Sequence, residues 1–153
     1  MFRVTNRMTG LIVAMVFVAA CAKKEAATSD VTVSITSPAE GDTLGGTAVH
    51  IALGSTGIKI APAADARPET AHHHLYLDVD FPQVEAAIPM GVGGVVHLGQ
   101  AQTEFHWDSV PPGPHRIIAV LADPGHIPLK PYVTDTVHFY LKAPTSPDTT
   151  TKK

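Results

Sequence analysis

The stretch Val31-Thr32-Val33-Ser34-Ile35 sets the fold class. Its apolar and hydroxylated side chains alternate with period two, the repeat of a strand with one buried face and not that of a helix. Val49, Ile51 and Leu53 continue the pattern around His50 and Ala52. Outward from these two stretches, the same reading places strands at 74–79, 95–98, 103–107, 116–122 and 133–141. Turn-forming clusters separate them: Pro38-Ala39-Glu40-Gly41-Asp42, Gly45-Gly46, the glycine-rich 91–94, Pro111-Pro112-Gly113-Pro114 and Asp123-Pro124-Gly125.

With glycine and proline this frequent, no segment carries an amphipathic helix of three turns. The sequence predicts an all-β domain over residues 31–142, an immunoglobulin- or fibronectin-III-like antiparallel sandwich of about seven strands. Long connections at 55–71 and 81–94 are expected at the ends of the sandwich, where a rigid scaffold presents loops.

The flanks read differently. Arg3 and Arg7 precede an uncharged apolar run at 11–20, and small residues lead into Cys21. The run has the length of an export signal and is short of the roughly 20 apolar residues that span a bilayer. Val18-Ala19-Ala20-Cys21 resembles the lipobox of bacterial lipoproteins. That resemblance implies a signal peptide over 1–20, cleavage before Cys21, and lipid on its sulfur and new amino group. Cys21 is the chain's one cysteine, so it has no partner for an intramolecular disulfide. Ala22 in place of aspartate after it implies sorting to the outer membrane, facing the periplasm. The lipidated cysteine and residues 22–30 read as a flexible spacer, and 143–153, with two prolines and four threonines, as a disordered tail.

Charge narrows the partners. The 153 residues hold 11 Lys and Arg, 14 Asp and Glu, and nine His. Removing Arg3 and Arg7 with the signal leaves nine basic against 14 acidic residues, a net of about −5 with His neutral. Without a basic stripe, nucleic acid is not an expected partner, whereas cations are compatible with the balance.

The placement of the histidines matters more than their number. Within Ala71-His72-His73-His74-Leu75-Tyr76-Leu77-Asp78-Val79, alternation sends Leu75, Leu77 and Val79 to one face together with His73. His72 and His74 share the other face with Tyr76 and Asp78. Two such residues have Cα atoms about 7 Å apart, close enough for both imidazoles to reach one ion. Imidazole suits copper or zinc, and the lack of a thiolate argues against a cysteine-type structural zinc site. His97, beside Gly99 in a short apolar strand, is the expected third ligand, and His126 in the loop after Asp123 the fourth. Met90 could add a soft sulfur to copper. Asp78 is a candidate for orienting a ligating histidine. His115 reads as structural, and His50, His106 and His138 as solvated. Protonation should release the ion as pH falls through about 6.

With those residues placed, the chain resembles the DUF4399 family, a bacterial secreted domain of unknown function, from about Val33 to Leu141. The carriers are Ile60-Ala61-Pro62-Ala63, His72-His73-His74-Leu75, and His97-Leu98-Gly99 with Gln102-Thr103-Glu104. Pro112-Gly113 with His115, Asp123 with His126 and the closing strand complete the match. Ala64, Ala71 and Gln100-Ala101 depart from glycines of the family pattern, which stiffens loops and leaves the polar groups in place. The resemblance implies a fold and a polar cluster but no activity.

Motifs for nucleophilic or phosphate chemistry are missing: there is no Gly-x-Ser-x-Gly, His-Glu-x-x-His or phosphate loop. Asp78 and Asp80 could pair as carboxylates on one strand face, and Glu104 is the one other candidate base. The sequence therefore points to a binder of a copper or zinc ion and not to an enzyme, although three histidines with an open position would also suit a metal-dependent hydrolase. The alternative is a structural or protein-interaction module of the cell envelope whose histidines brace loops by hydrogen bonds.

Overall fold

Alternation in sequence becomes alternation in burial. In β1 (Thr32–Ser37) Val33 and Ile35 are buried while Thr32, Ser34 and Thr36 face solvent, and β9 (Thr134–Lys142) buries Val137, Phe139 and Leu141 in the same rhythm. The computed structural model describes residues 30–144, so the expected signal, Cys21 and most of the two polar ends lie outside them. Between β1 and β9 run β2 (Thr43–Gly45), β3 (Val49–Thr56), β4 (Lys59–Ile60), β5 (Thr70–Leu77), β6 (Val95–Leu98), β7 (Glu104–Trp107) and β8 (Gly113–Ala122).

These form a β-sandwich. One sheet has the order β1-β3-β7; the other runs β2-β9-β8-β5-β4, with β6 also paired to β5. The seven expected strands are present. The two additional ones, β2 and β4, are short, and both pair in parallel, β2 with β9 and β4 with β5. The sandwich is thus not purely antiparallel. Val33, Ile35, Val49, Ile51 and Leu53 of the small sheet meet Ala71, Leu75, Ile117, Ala119, Leu121, Phe139 and Leu141 of the large one in a single apolar interior. Asp135 of β9 also accepts the Ile35 N–H at 2.7 Å, tying the two sheets by a polar contact.

β5 departs from the simple pattern: every residue from Thr70 to Tyr76 is buried. Both of its faces are covered, which removes the polar alternation that a half-exposed strand would show. It also begins four residues earlier and ends two earlier than its sequence suggests. The cover on its outer side is the 81–94 connection. That segment does not extend from the end of the sandwich as expected; Phe81 and Ile88 pack with Val79 against Tyr76, Val95, Ile118, Val120 and Ala122 as a second small core. The reason is legible in β8, where Ile118 and Val120 are as apolar as their inward neighbours and need burial on the outer face.

Candidate metal centre

Strand geometry supplies three of four histidines. His72 and His74 point to the outer face of the large sheet, and the antiparallel β5–β6 register sets His97 directly across from His74. The fourth, His126, comes from the turn after β8, whose last residue, Ala122, lies across from His72. That turn is tightly bonded. The Asp123 N–H donates to the Ile127 carbonyl, His126 N–H to the Asp123 carbonyl and Ile127 N–H to Asp123 Oδ1, each at 2.9 Å. His126 adopts φ of 65°, and its carbonyl accepts the Ile88 N–H at 2.9 Å. The cover segment is therefore fastened to the backbone of the fourth histidine.

The four side chains converge: one nitrogen from each of His72, His74, His97 and His126 lies within 4.8 Å of the others. His72 Nε2 is 3.0 Å from His74 Nε2, and His97 Nε2 is 3.2 Å from His126 Nε2. Four nitrogens at 2.0–2.1 Å around a tetrahedral zinc stand about 3.3–3.4 Å apart. The two short pairs are close to that edge, and the wider ones need a contraction of at most about 1.5 Å. His97 and His126, both partly exposed, have the freedom to supply it; His72 and His74 are at most 1 % exposed.

Burial also sets the protonation. Desolvation first, then the neighbouring histidines, push the pKa of His72 down to about 4 and that of His74 to about 3. His97 is lowered by burial and by His126. These rings offer lone pairs at neutral pH without competition from protons, so release of a bound ion should begin below the pH of about 6 that an unperturbed histidine implies.

Gly99 fits this arrangement. A Cβ at that position would overlap the His97 imidazole, so only glycine lets the ring lie back over the chain toward its partners. Sequence reading placed Gly99 beside the site without assigning it this part. Tyr76 is next along the same face as His74; its ring packs on Phe81, and its buried hydroxyl has no hydrogen-bonding partner among the described residues.

Other candidates lie elsewhere. Asp78 does not orient a ligand: its carboxylate holds His115 Nδ1 at 2.7 Å and accepts the Arg116 N–H at 2.9 Å. It stands beyond the end of β5 with φ of 57°, so Asp78 and Asp80 do not form a pair on one strand face, and Asp80 instead accepts from the Arg116 guanidinium at 2.7 Å. His115 is buried between Asp78 and the Pro111 carbonyl, also at 2.7 Å. His73 points into the sandwich, its Nδ1 3.2 Å from the Gln102 carbonyl. The Nδ1 atoms of His72 and His74 are buried without a hydrogen-bonding partner among the described residues. Met90 is 64 % exposed on the cover segment. Glu104 lies on the small sheet, 3.5 Å from His50 and on the far side of the sandwich from the four histidines.

Among solved structures, the chain is similar to fibronectin(III)-like modules of CbhA from Clostridium thermocellum, at 17 % identity and a TM-score of 0.47, over 74 % of this chain and all of that one. It is also similar to the PKD domain of human KIAA0319, at 12 % identity and a TM-score of 0.39, over 78 % and 88 % of the two chains. No curated protein matches it. The profile of the DUF4399 domain of unknown function matches residues 51–142, which takes in all four converging histidines, and the chain belongs to that family.

Proposed function

We propose that this domain binds a single divalent transition-metal ion, copper or zinc, through His72, His74, His97 and His126, on a lipoprotein anchored through Cys21 to the outer membrane and facing the periplasm. The observation that carries the reading is the convergence of four imidazoles on one point, two of them fixed on a strand buried on both faces. An all-imidazole donor set suits copper and zinc, and copper is the tighter of the two on the general affinity order of divalent ions. Four protein donors fill a tetrahedral shell and leave no open position for substrate. That favours holding or handing on the ion over metal-dependent hydrolysis.

The same distances favour one other reading. At 3.0 and 3.2 Å, each histidine pair is within range of a single N–H···N hydrogen bond, which would brace β5, β6 and the 123–127 turn without an ion.

Full-length protein, extracted in detergent and carrying no histidine tag, separates the two when titrated with Cu²⁺ and Zn²⁺ against chelators. Stoichiometric binding that His72→Ala/His74→Ala abolishes establishes the site. Binding unchanged in that variant refutes it, and a folded variant that melts lower without any loss of ion supports the brace. Intact mass of the same preparation reads the acylation of Cys21, and Cys21→Ser should release the protein from membranes.

A further inference from the structure

The outer face of the small sheet carries a second arrangement of histidines. β3 and β7 run antiparallel, with His50 across from His106 and Ala52 across from Glu104. The Leu53 N–H donates to the Thr103 carbonyl at 2.8 Å, marking a hydrogen-bonded position of this ladder. Such positions alternate along an antiparallel pair, so three residues back His50 and His106 occupy a non-hydrogen-bonded one. There the Cα atoms approach to about 4.5 Å and facing side chains are at their closest. The rings accordingly lie with centroids 4.6 Å apart and planes inclined by 32°. Glu104, two residues before His106 and on its face, places Oε2 3.5 Å from His50 Nε2. Val49, Ile51 and Leu53 are buried beneath, so the backbone carrying the trio is rigid while the three side chains are exposed.

We infer that His50, His106 and Glu104 form a second, open site for a divalent transition-metal cation. Two imidazoles from facing strands supply nitrogen donors on a common side, and Glu104 completes a three-donor set by rotating about its own side-chain bonds. Ala52, the small residue across from Glu104, leaves room for that movement. Nitrogen donors select copper and zinc over magnesium and calcium, which take oxygen. Water fills the remaining positions, since the face is open to solvent. The carboxylate gives this site a negative charge that the buried quartet lacks, and exposure makes its exchange fast. It lies on the opposite outer face from the quartet, so neither site shares a ligand with the other, and the inference stands whether or not the buried quartet binds an ion.

The test uses Cu²⁺ alone, titrated into full-length detergent-extracted protein and into the His72→Ala/His74→Ala variant. Calorimetry counts the equivalents, and paramagnetic resonance reads nitrogen coupling. A copper equivalent with two-nitrogen coupling that survives in the His72→Ala/His74→Ala variant is expected. It should be lost in His50→Ala/His106→Ala, weakened about tenfold or more in Glu104→Gln and retained in His138→Ala. Those substitutions sit at exposed positions, and an unchanged melting curve confirms that the domain is intact. Absence of that equivalent overturns the inference. So does its persistence in His50→Ala/His106→Ala, or an equal weakening in His138→Ala, which would mark scattered surface binding.

Discussion

Gly99→Ala perturbs the quartet without touching a ligand. Its backbone φ lies outside the left-handed region, so alanine is accepted by the chain itself. The conflict is with the His97 ring, which occupies the space a Cβ would fill. His97 is partly exposed, and the ring can swing toward solvent at small cost. The loss of the His97–His126 contact amounts to about 1 kcal/mol. The reduced freedom of the unfolded chain returns about 0.4–1 kcal/mol. Stability should therefore change by less than about 1 kcal/mol.

Metal affinity should change far more. Structural zinc sites contribute about 10–16 kcal/mol through four ligands, or roughly 2.5–4 kcal/mol for each. Removing His97 from the set would weaken binding by about two to three decades. The assay pairs urea unfolding of the metal-free protein with chelator competition for Cu²⁺ and Zn²⁺. Affinity within a factor of about three of the parent, at unchanged stability, would show that His97 is not a ligand. A stability loss beyond about 3 kcal/mol would show that the ring is locked in place and that the exchange between fold and site is misjudged.

Three further outcomes follow from the same geometry. His72 and His74 have folded pKa values well below the 6.5 of an unfolded histidine, so between those limits the unfolded chain binds more protons. Their contribution is complete above about pH 6.5 and is lost as pH falls toward 4, at about 1.4 kcal/mol per pH unit for each ring; a urea midpoint that stays flat from pH 6.5 to 4.5 would contradict this. Asp78→Ala should cost about 1–3 kcal/mol in thermal unfolding, because it strands the buried His115 ring and the Arg116 N–H, while leaving metal affinity untouched. Ala101 sits at φ of 61°, so Ala101→Gly should raise stability by about 0.5–1 kcal/mol, the relief of left-handed strain less the entropy of glycine; a loss in the same melt would contradict it.

Much of this molecule was legible in its sequence because short strands advertise themselves by period two. The strands around 31–35 and 49–53 and the two faces of β5 follow from alternation, and the other strands from apolar stretches set between turn signals. What alternation could not show was a third layer. Phe81, Ile88 and Tyr76 look like ordinary members of a loop and a strand, and only the apolar outer face of β8 reveals that they need each other. The two parallel pairings escaped for a similar reason, since strands of two or three residues carry no periodicity. At the site, His72 and His74 were readable from spacing, His97 from its short apolar strand beside Gly99, and His126 from its position after a turn signal. Asp78 misled because residues 71–79 look like a continuous strand. The chain leaves β5 at Leu77, and the next residue bends into the left-handed region to reach His115.

The two-sided burial of β5 has a consequence for how the domain breathes. Its amides are bonded to β8 on one edge and to β4 and β6 on the other, so they should exchange with deuterium only through global opening. β6 pairs with β5 alone and should open far more often in the metal-free protein. An ion shared by His74, His97 and His126 would rivet that edge and the 123–127 turn to the slowest strand. The deuterium uptake of β6 would then fall toward that of β5, and the cover segment, held by Ile88 to the same turn, would slow with it.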